Sequence, residues 1–417
     1  MELDPADFAY PLNRSMANLK LQRWSEAKDD ASRALELDHG NLKAFWRRSI
    51  ARRGLGDYSG ARQDIRRYAD VGGELKNLVD EDVKIASAEA AAMLDSMASE
   101  DSTPSGFVVK ESPGKGYGAF ATQTFQRGDL IFAERPLYTS NRDSPLQVVS
   151  AVSRLSPNSK AAFMSLHNAW SGDNLFGSSV VGLKTAGLQP EEMRLINIHQ
   201  TNSFSTSEGN GGLFLRCSRF NHSCLPSAKY NFHEPTGVMR IYALRTIEPE
   251  EEIHVGYLSG SFPKLYGTPR SARRARFERT WGFTCECAVC SLTGDAQIRS
   301  DERRTELTRL WKSVPNYDPS QTRQRLLAIV RGVRLLDEER YAADRDDFTN
   351  DAAAICGYHS DWVSVAYFAR ITYECRVAEF GGDSPEAGGA DILTSLLHPR
   401  DSNMAGLGAK KIFDVRI

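Results

Sequence analysis

Seven cysteines occur in this chain of 417 residues, none of them before Cys217. Three fall within six positions, as Cys285-Glu286-Cys287-Ala288-Val289-Cys290. A C-x-C-x2-C run offers three thiolates, one short of the tetrahedral set that a structural zinc ion takes. Cys224 is the natural donor of the fourth. An odd number of thiols at such short spacing does not read as a secreted disulfide framework, and in a reducing compartment the pattern favours a metal site. Crowded exposed thiols without a metal would oxidise readily.

Three other short segments carry groups suited to binding or catalysis. Gly114-Lys115-Gly116-Tyr117-Gly118 is a glycine-rich turn, in which backbone can approach a ligand closely. It lacks the Gly-Lys-Ser/Thr ending of a phosphate loop and the spacing of a dinucleotide turn, so alone it reads equally well as a hairpin. Arg219-Phe220-Asn221-His222-Ser223-Cys224 places several donors and acceptors in one stretch, and by itself it is a polar loop. Glu251-Glu252-Ile253-His254-Val255-Gly256-Tyr257 alternates like a strand and ends on a tyrosine, whose simplest role is packing with a satisfied hydroxyl. Ser218, Cys217, His233 and His254 lie close by and read as strand or loop residues, while Cys356 and Cys375 read as buried helix thiols.

These segments need a scaffold, and the pattern predicts a multidomain α+β chain. From residue 107 to 291, GFVV, GAFAT, DLIFAE, SAKYNFHE, GVMRIYAL and EEIHVGY are short strand candidates, interrupted by a helical insertion at about 145–200. Strands are not alternated with helices, so no doubly wound parallel sheet is expected. Ahead of this domain, Trp24 and Tyr58 stand 34 residues apart, and Ala17 with Ala51, Leu21 with Leu55, Ala27 with Ala61 and Asp30 with Asp64 share that offset. Residues 1–72 are therefore read as repeated helical hairpins, 73–97 as a capping helix and 98–106 as a polar linker. Solenoids usually need about three repeats, so either these two pack on the rest of the chain or the sequence begins inside a longer parent. Helical periodicity returns over 292–400, ending near Gly381-Gly382, and the tail 401–417 lacks a clear pattern. The run RSARRARFER at 270–279 is read as a solvated helix face.

Composition narrows the function. Fifty-two basic residues against 54 acidic ones give a net charge of −2, so no general field holds nucleic acid or anionic lipid. No apolar run approaches the ~20 residues of a membrane span, and the first ten residues lack the basic and apolar regions of a secretory signal. A cytoplasmic or nuclear protein is expected, with no direct nucleic-acid or membrane partner.

Taken in order, GKGYGAF, RFNHSC, EEIHVGY and WGFTCECAVC resemble the SET-domain methyltransferases, and more narrowly their SMYD-like branch, over about 105–291. The MYND zinc finger of that branch is missing. The N-terminal hairpins resemble tetratricopeptide repeats over about residues 5–72, an arrangement similar to fungal repeat-plus-SET proteins. This resemblance implies S-adenosylmethionine held by Lys115, Gly116, Tyr117, Asn221 and His222, with Asn202 as a further contact. It implies Trp281 and Phe283 as aromatics enclosing cofactor and target lysine, Tyr257 as the catalytic tyrosine, and structural zinc on Cys224, Cys285, Cys287 and Cys290. The family commonly has Asn after the Pro of this loop; here Pro226 is followed by Ser227.

The implied activity is protein-lysine N-methylation of a protein substrate, and near-neutral charge favours non-histone targets. The rival reading is a non-catalytic adaptor. In it Asn13, Lys43 and Arg47, placed like the carboxylate clamp of related repeats, grip the C-terminal tail of a heat-shock chaperone. Retention of Tyr257, Asn221, His222 and the glycine turn favours the enzyme, because a scaffold has no need of that set.

Overall fold

The computed structural model describes residues 7–97, 106–141, 144–170, 187–207, 210–258, 264–313 and 321–417. Most of the expected linker and part of the helical insertion lie outside these residues. The chain divides into two compact units. One comprises residues 1–102, 126–130 and 349–415; the other comprises 103–125, 131–348 and 416–417.

The first unit opens with α1 (Ala9–Lys20), α2 (Trp24–Leu37), α3 (Leu42–Gly54), α4 (Tyr58–Asp70) and α5 (Leu75–Met97). Alanines 27, 31, 34, 44, 51 and 61 are fully buried, so the helices approach at positions with almost no side chain. Asn41 and Asp57 cap α3 and α4 by accepting from the backbone N–H of Ala44 and Gly60. The 34-residue offset reappears in side-chain contacts. Arg14 pairs with Asp30 at 2.6 Å, and Arg48 pairs with Asp64 at 2.7 Å. Asn18 donates to Asp30, and Arg52, its counterpart, pairs with Asp64. One hairpin is thus built twice. Arg47 breaks the expectation of an open clamp: it is buried and donates to the carbonyl of Leu12, leaving only Asn13 and Lys43 exposed.

The stretch 292–400, expected to be a single domain, is split. Its part from 349 onward belongs with the repeats, whereas 292–348 belongs to the second unit. Within the first unit, α5 is tied on two sides. Arg53 and Arg62 of the repeat pair with Glu81 and Glu89, and Tyr373 donates to Asp82 at 3.1 Å. The tail is also more ordered than its sequence suggests. The backbone N–H groups of Gly406, Gly408 and Lys411 donate to the carbonyls of Gly357, Tyr358 and His359, and that of Phe413 donates to Asp361.

The second unit holds three small sheets. β1 (Phe107–Ser112) pairs antiparallel with β2 (Gly116–Ala121). β3 (Leu130–Glu134), β7 (Ala228–His233) and β8 (Val238–Ala243) form a sheet in the order β3-β8-β7. β4 (Tyr138–Asn141), β5 (Ser203–Ser207) and β6 (Asn210–Leu213) form another in the order β4-β6-β5. All six residues of β8 are buried, as a central strand covered on both faces requires. Three helices of the insertion are described: α6 (Pro145–Ser153), α7 (Pro157–Met164) and α8 (Pro190–Asn202). A cluster of Val148, Val152, Phe163, Leu195 and Ile198 packs them together. The unit continues with α9 (Arg270–Trp281), α10 (Gly294–Ser313) and α11 (Thr322–Glu338).

Glu251–Tyr257 is not the strand its alternation predicts. It makes only single bridges, Phe120 to Glu252 antiparallel and His222 to Val255 parallel. The segment threads between the β2 hairpin and the Asn-His-Ser loop, so its backbone pairs are divided between two neighbours. Val255 N–H donates to Asn221 O at 2.9 Å, and Ser223 N–H donates to Val255 O at 3.1 Å.

Candidate active site and cysteine centre

The threaded segment brings the separate motifs together. Asn221 Nδ2 donates to Tyr117 O at 3.1 Å and to Glu252 Oε1 at 2.8 Å. Its Oδ1 stays available as an acceptor. Glu252 also receives Ser112 Oγ and Lys115 Nζ, each at 3.0 Å, while His254 Nε2 lies 3.1 Å from it. These partners outweigh partial burial and hold the Glu252 carboxyl well below the ordinary carboxylate range. Glu252 and His254 are therefore working members of this loop, although the sequence gives them no more than alternation.

Gly118 shows how tightly this corner is built. A Cβ there would stand 2.4 Å from Glu252 Oε1 and 3.0 Å from Asn221 Nδ2. If the turn holds the cofactor that the sequence resemblance implies, Gly118→Ala should push both side chains off it and weaken S-adenosylhomocysteine binding at least tenfold, with the rest of the fold retained. Titration calorimetry checks this, and unchanged affinity would remove Asn221 and the turn from the binding site. Gly114 and Gly116 have open space where a Cβ would be, and Lys115, Gly116 and Tyr117 are exposed. The turn is thus open to solvent on one side, although Lys115 N–H donates to Ser112 O and Tyr117 O accepts from Asn221.

Tyr257 is half-buried among rings. Trp281 and His222 lie with centroids 5.3 Å away, and Phe283 meets it edge-on at 6.3 Å. Its hydroxyl donates to Phe220 O at 3.2 Å. Burial pushes the phenol above its ordinary pKa, so it is a neutral donor at physiological pH. Phe277, fully buried and stacked on Phe283 at 5.4 Å, completes the group. The periodic spacing Phe277-Trp281 on one face of α9 was the available signal for it. Gly282 ends that helix in the left-handed region, at φ 68°, and turns the chain toward Phe283.

His222 is buried with both ring nitrogens engaged. Nδ1 accepts the backbone N–H of Tyr257 at 3.1 Å, which places the proton on Nε2, 3.4 Å from Cys224 Sγ. Burial lowers its pKa to about 3, so the ring is neutral. Its side chain therefore couples Tyr257 to Cys224 and has no nitrogen left for a ligand. Asn202 Nδ2 donates to the carbonyls of His167 and Ile198, both at 2.7 Å.

Cys224, Cys285, Cys287 and Cys290 converge, with all four Sγ atoms within 4.8 Å of one another. Cys224 Sγ lies 3.9 Å from that of Cys285 and 3.6 Å from that of Cys290. A tetrahedral ion with bonds of about 2.3 Å would set its sulfurs about 3.8 Å apart. The donor set fits zinc in type, number and spacing. The basic run beside it is solvated at Ser271, Ala272, Ala275, Glu278 and Arg279, as its composition suggests, but not along its inner face. Arg273 is fully buried, and Arg274 donates to the carbonyls of Cys285 and Cys290, both at 3.1 Å. Both arginines lie on the helix that leads into the cysteine run.

Comparison with known proteins agrees with this geometry. Residues 116–258 match the SET domain. Histone-lysine N-methyltransferase set5 of Schizosaccharomyces pombe is 28% identical over 268 residues, covering 63% of this chain and 76% of that protein. Human protein-lysine N-trimethyltransferase SMYD5 is 33% identical over 103 residues, 24% of each chain. Mouse sperm-associated antigen 1 is 43% identical over 67 residues, 16% of this chain and 7% of that one. The chain thus spans about three quarters of the first relative and a quarter or less of the other two. Its residues 116–258 form a SET-domain segment, and the chain is similar to set5 over most of that protein and to SMYD5 over a quarter of its length.

Proposed function

We propose that the chain is an S-adenosylmethionine-dependent protein-lysine N-methyltransferase acting on a protein substrate in the cytoplasm or nucleus. The observation that carries this is the placement of Tyr257. Its hydroxyl is held by Phe220 O and its backbone by His222, and Trp281 and Phe283 wall it in. Bound near Lys115, Gly116, Tyr117 and Asn221, the cofactor would supply an electrophilic methyl group on a sulfonium. The phenol spends its proton on Phe220, so it offers an arriving amine only oxygen lone pairs. It can therefore orient the amine by accepting an N–H, without acting as a base. Free lysine is only about one part in 10³ neutral near pH 7, and an aromatic wall that excludes water disfavours the ammonium form. Alignment then supplies the acceleration.

Zinc on the four cysteines would be structural, since four thiolates leave no open coordination position. Among the relatives, one is named for histone lysine and another for protein lysine; the net charge of −2 favours non-histone substrates for this chain. A chaperone-tail clamp is less well supported, because Arg47 is already bonded to Leu12.

Thermal unfolding with S-adenosylhomocysteine tests the proposal. Ligand at a hundredfold excess over Kd should stabilise the protein by about 2.7 kcal/mol, read as a rise of several degrees in melting temperature. No shift near millimolar ligand would favour the adaptor.

A further inference from the structure

Arg273 has no exposed surface. Nη1 donates to Thr268 O, Nη2 approaches Cys290 Sγ at 3.5 Å, and Nε has no partner. Among the described residues no carboxylate forms an ion pair with it. The other buried guanidinium nearby, Arg304, is matched by Glu339 at 2.8 Å. A guanidinium does not lose its proton in proteins, and a buried cation without a counter-charge is strongly unfavourable. Four neutral thiols would offer Arg273 no charge. Four thiolates around a divalent ion carry a net charge of −2, and that is the partner the geometry lacks.

We propose that Arg273 is the resident counter-ion of the four-cysteine centre, donating to Cys290 and helping to retain the metal. The inference rests on the zinc reading. Arg273 acts through Cys290, so it is a positioning residue and touches no reacting atom. The adjacent Arg274 performs the complementary task on the backbone, gripping the carbonyls at both ends of the Cys285–Cys290 loop. Together they let one turn of α9 fix the charge and the path of the loop. His222 Nε2 provides a second hydrogen bond to the centre, at Cys224. The centre is therefore anchored from two segments.

Purified full-length protein and its Arg273→Met and Arg273→Lys variants should be titrated with a chromophoric zinc chelator. Removing a partner of the ligand shell typically costs 10–100-fold in metal affinity. Arg273→Met should show a loss of that size. Arg273→Lys, which keeps the charge but not the planar fork, should fall between it and the wild type. If the methionine variant does not fold, cobalt substitution of the lysine variant replaces it as the test. The sulfur-to-cobalt absorption band should then shift, because the hydrogen bond to Cys290 has changed. Zinc-loaded wild type with an unchanged chelator midpoint in Arg273→Met, or an unchanged cobalt band in Arg273→Lys, would overturn this inference alone. Wild-type protein that holds no zinc would instead overturn the zinc reading beneath it.

Discussion

Cys224→Ser is expected to lose both the metal and methyl transfer, although Cys224 lies outside the aromatic group around Tyr257. The thiol is fully buried, 3.6 and 3.9 Å from two other sulfurs and 3.4 Å from His222 Nε2. A serine hydroxyl is shorter and a poor zinc ligand, leaving three thiolates for an ion that structural sites bind with four. Structural zinc in small peptides is worth about 10–16 kcal/mol of apparent free energy at neutral pH, so even part of that loss releases the Cys285–Cys290 loop. Phe283 and Trp281 precede that loop directly, and His222 loses its partner at the same time. Elemental analysis should fall from about one zinc per chain toward none, and the transfer rate should drop by at least about 100-fold. Retained zinc with full transfer would break the link between the two segments.

Tyr257→Phe is expected to separate catalysis from folding. The substitution removes one oxygen and keeps the ring that packs with Trp281, Phe283 and His222. The carbonyl of Phe220 loses a donor, a change of about 1 kcal/mol in stability. The amine loses its orienting acceptor, and misplacing a reacting group costs about 10²-fold or more in rate. Transfer should therefore fall by at least that factor while zinc content and S-adenosylhomocysteine affinity stay near wild type. A stable, cofactor-binding Tyr257→Phe protein with undiminished transfer would remove the tyrosine from the mechanism.

The cysteine centre could be read in the sequence because its chemistry is incomplete locally: Cys285, Cys287 and Cys290 are one ligand short, and only Cys224 stood within another polar motif. Convergence in the structure bears out that grouping. The 34-residue hairpin was equally legible, since small residues at helix crossings must recur whenever the crossing recurs. What could not be read was where a charged group finds its partner. Arg47 and Arg273 sit in basic runs that look solvated, yet one is spent on Leu12 and the other on Cys290. Composition records the charge but not the contact, which comes from residues 35 and 17 positions away. Glu252 was hidden for a related reason. Its four partners come from the hairpin, the Asn-His-Ser loop and its own segment, and period-2 alternation reports only a face. Threading also explains the failed strand over 251–257: alternation was present, but no single neighbour accompanies the segment along its length.

The central claim is that this assembly delivers a methyl group to a protein lysine. It is tested most directly by incubating the purified, zinc-loaded protein with isotope-labelled S-adenosylmethionine and a cell lysate supplemented with histones, then locating the label by mass spectrometry. The account predicts labelled methyl groups on lysine side chains, chiefly of non-histone proteins, and a fall of about 100-fold or more in that label with the Tyr257→Phe variant. A zinc-loaded protein that binds S-adenosylhomocysteine yet labels no lysine in any fraction would contradict it.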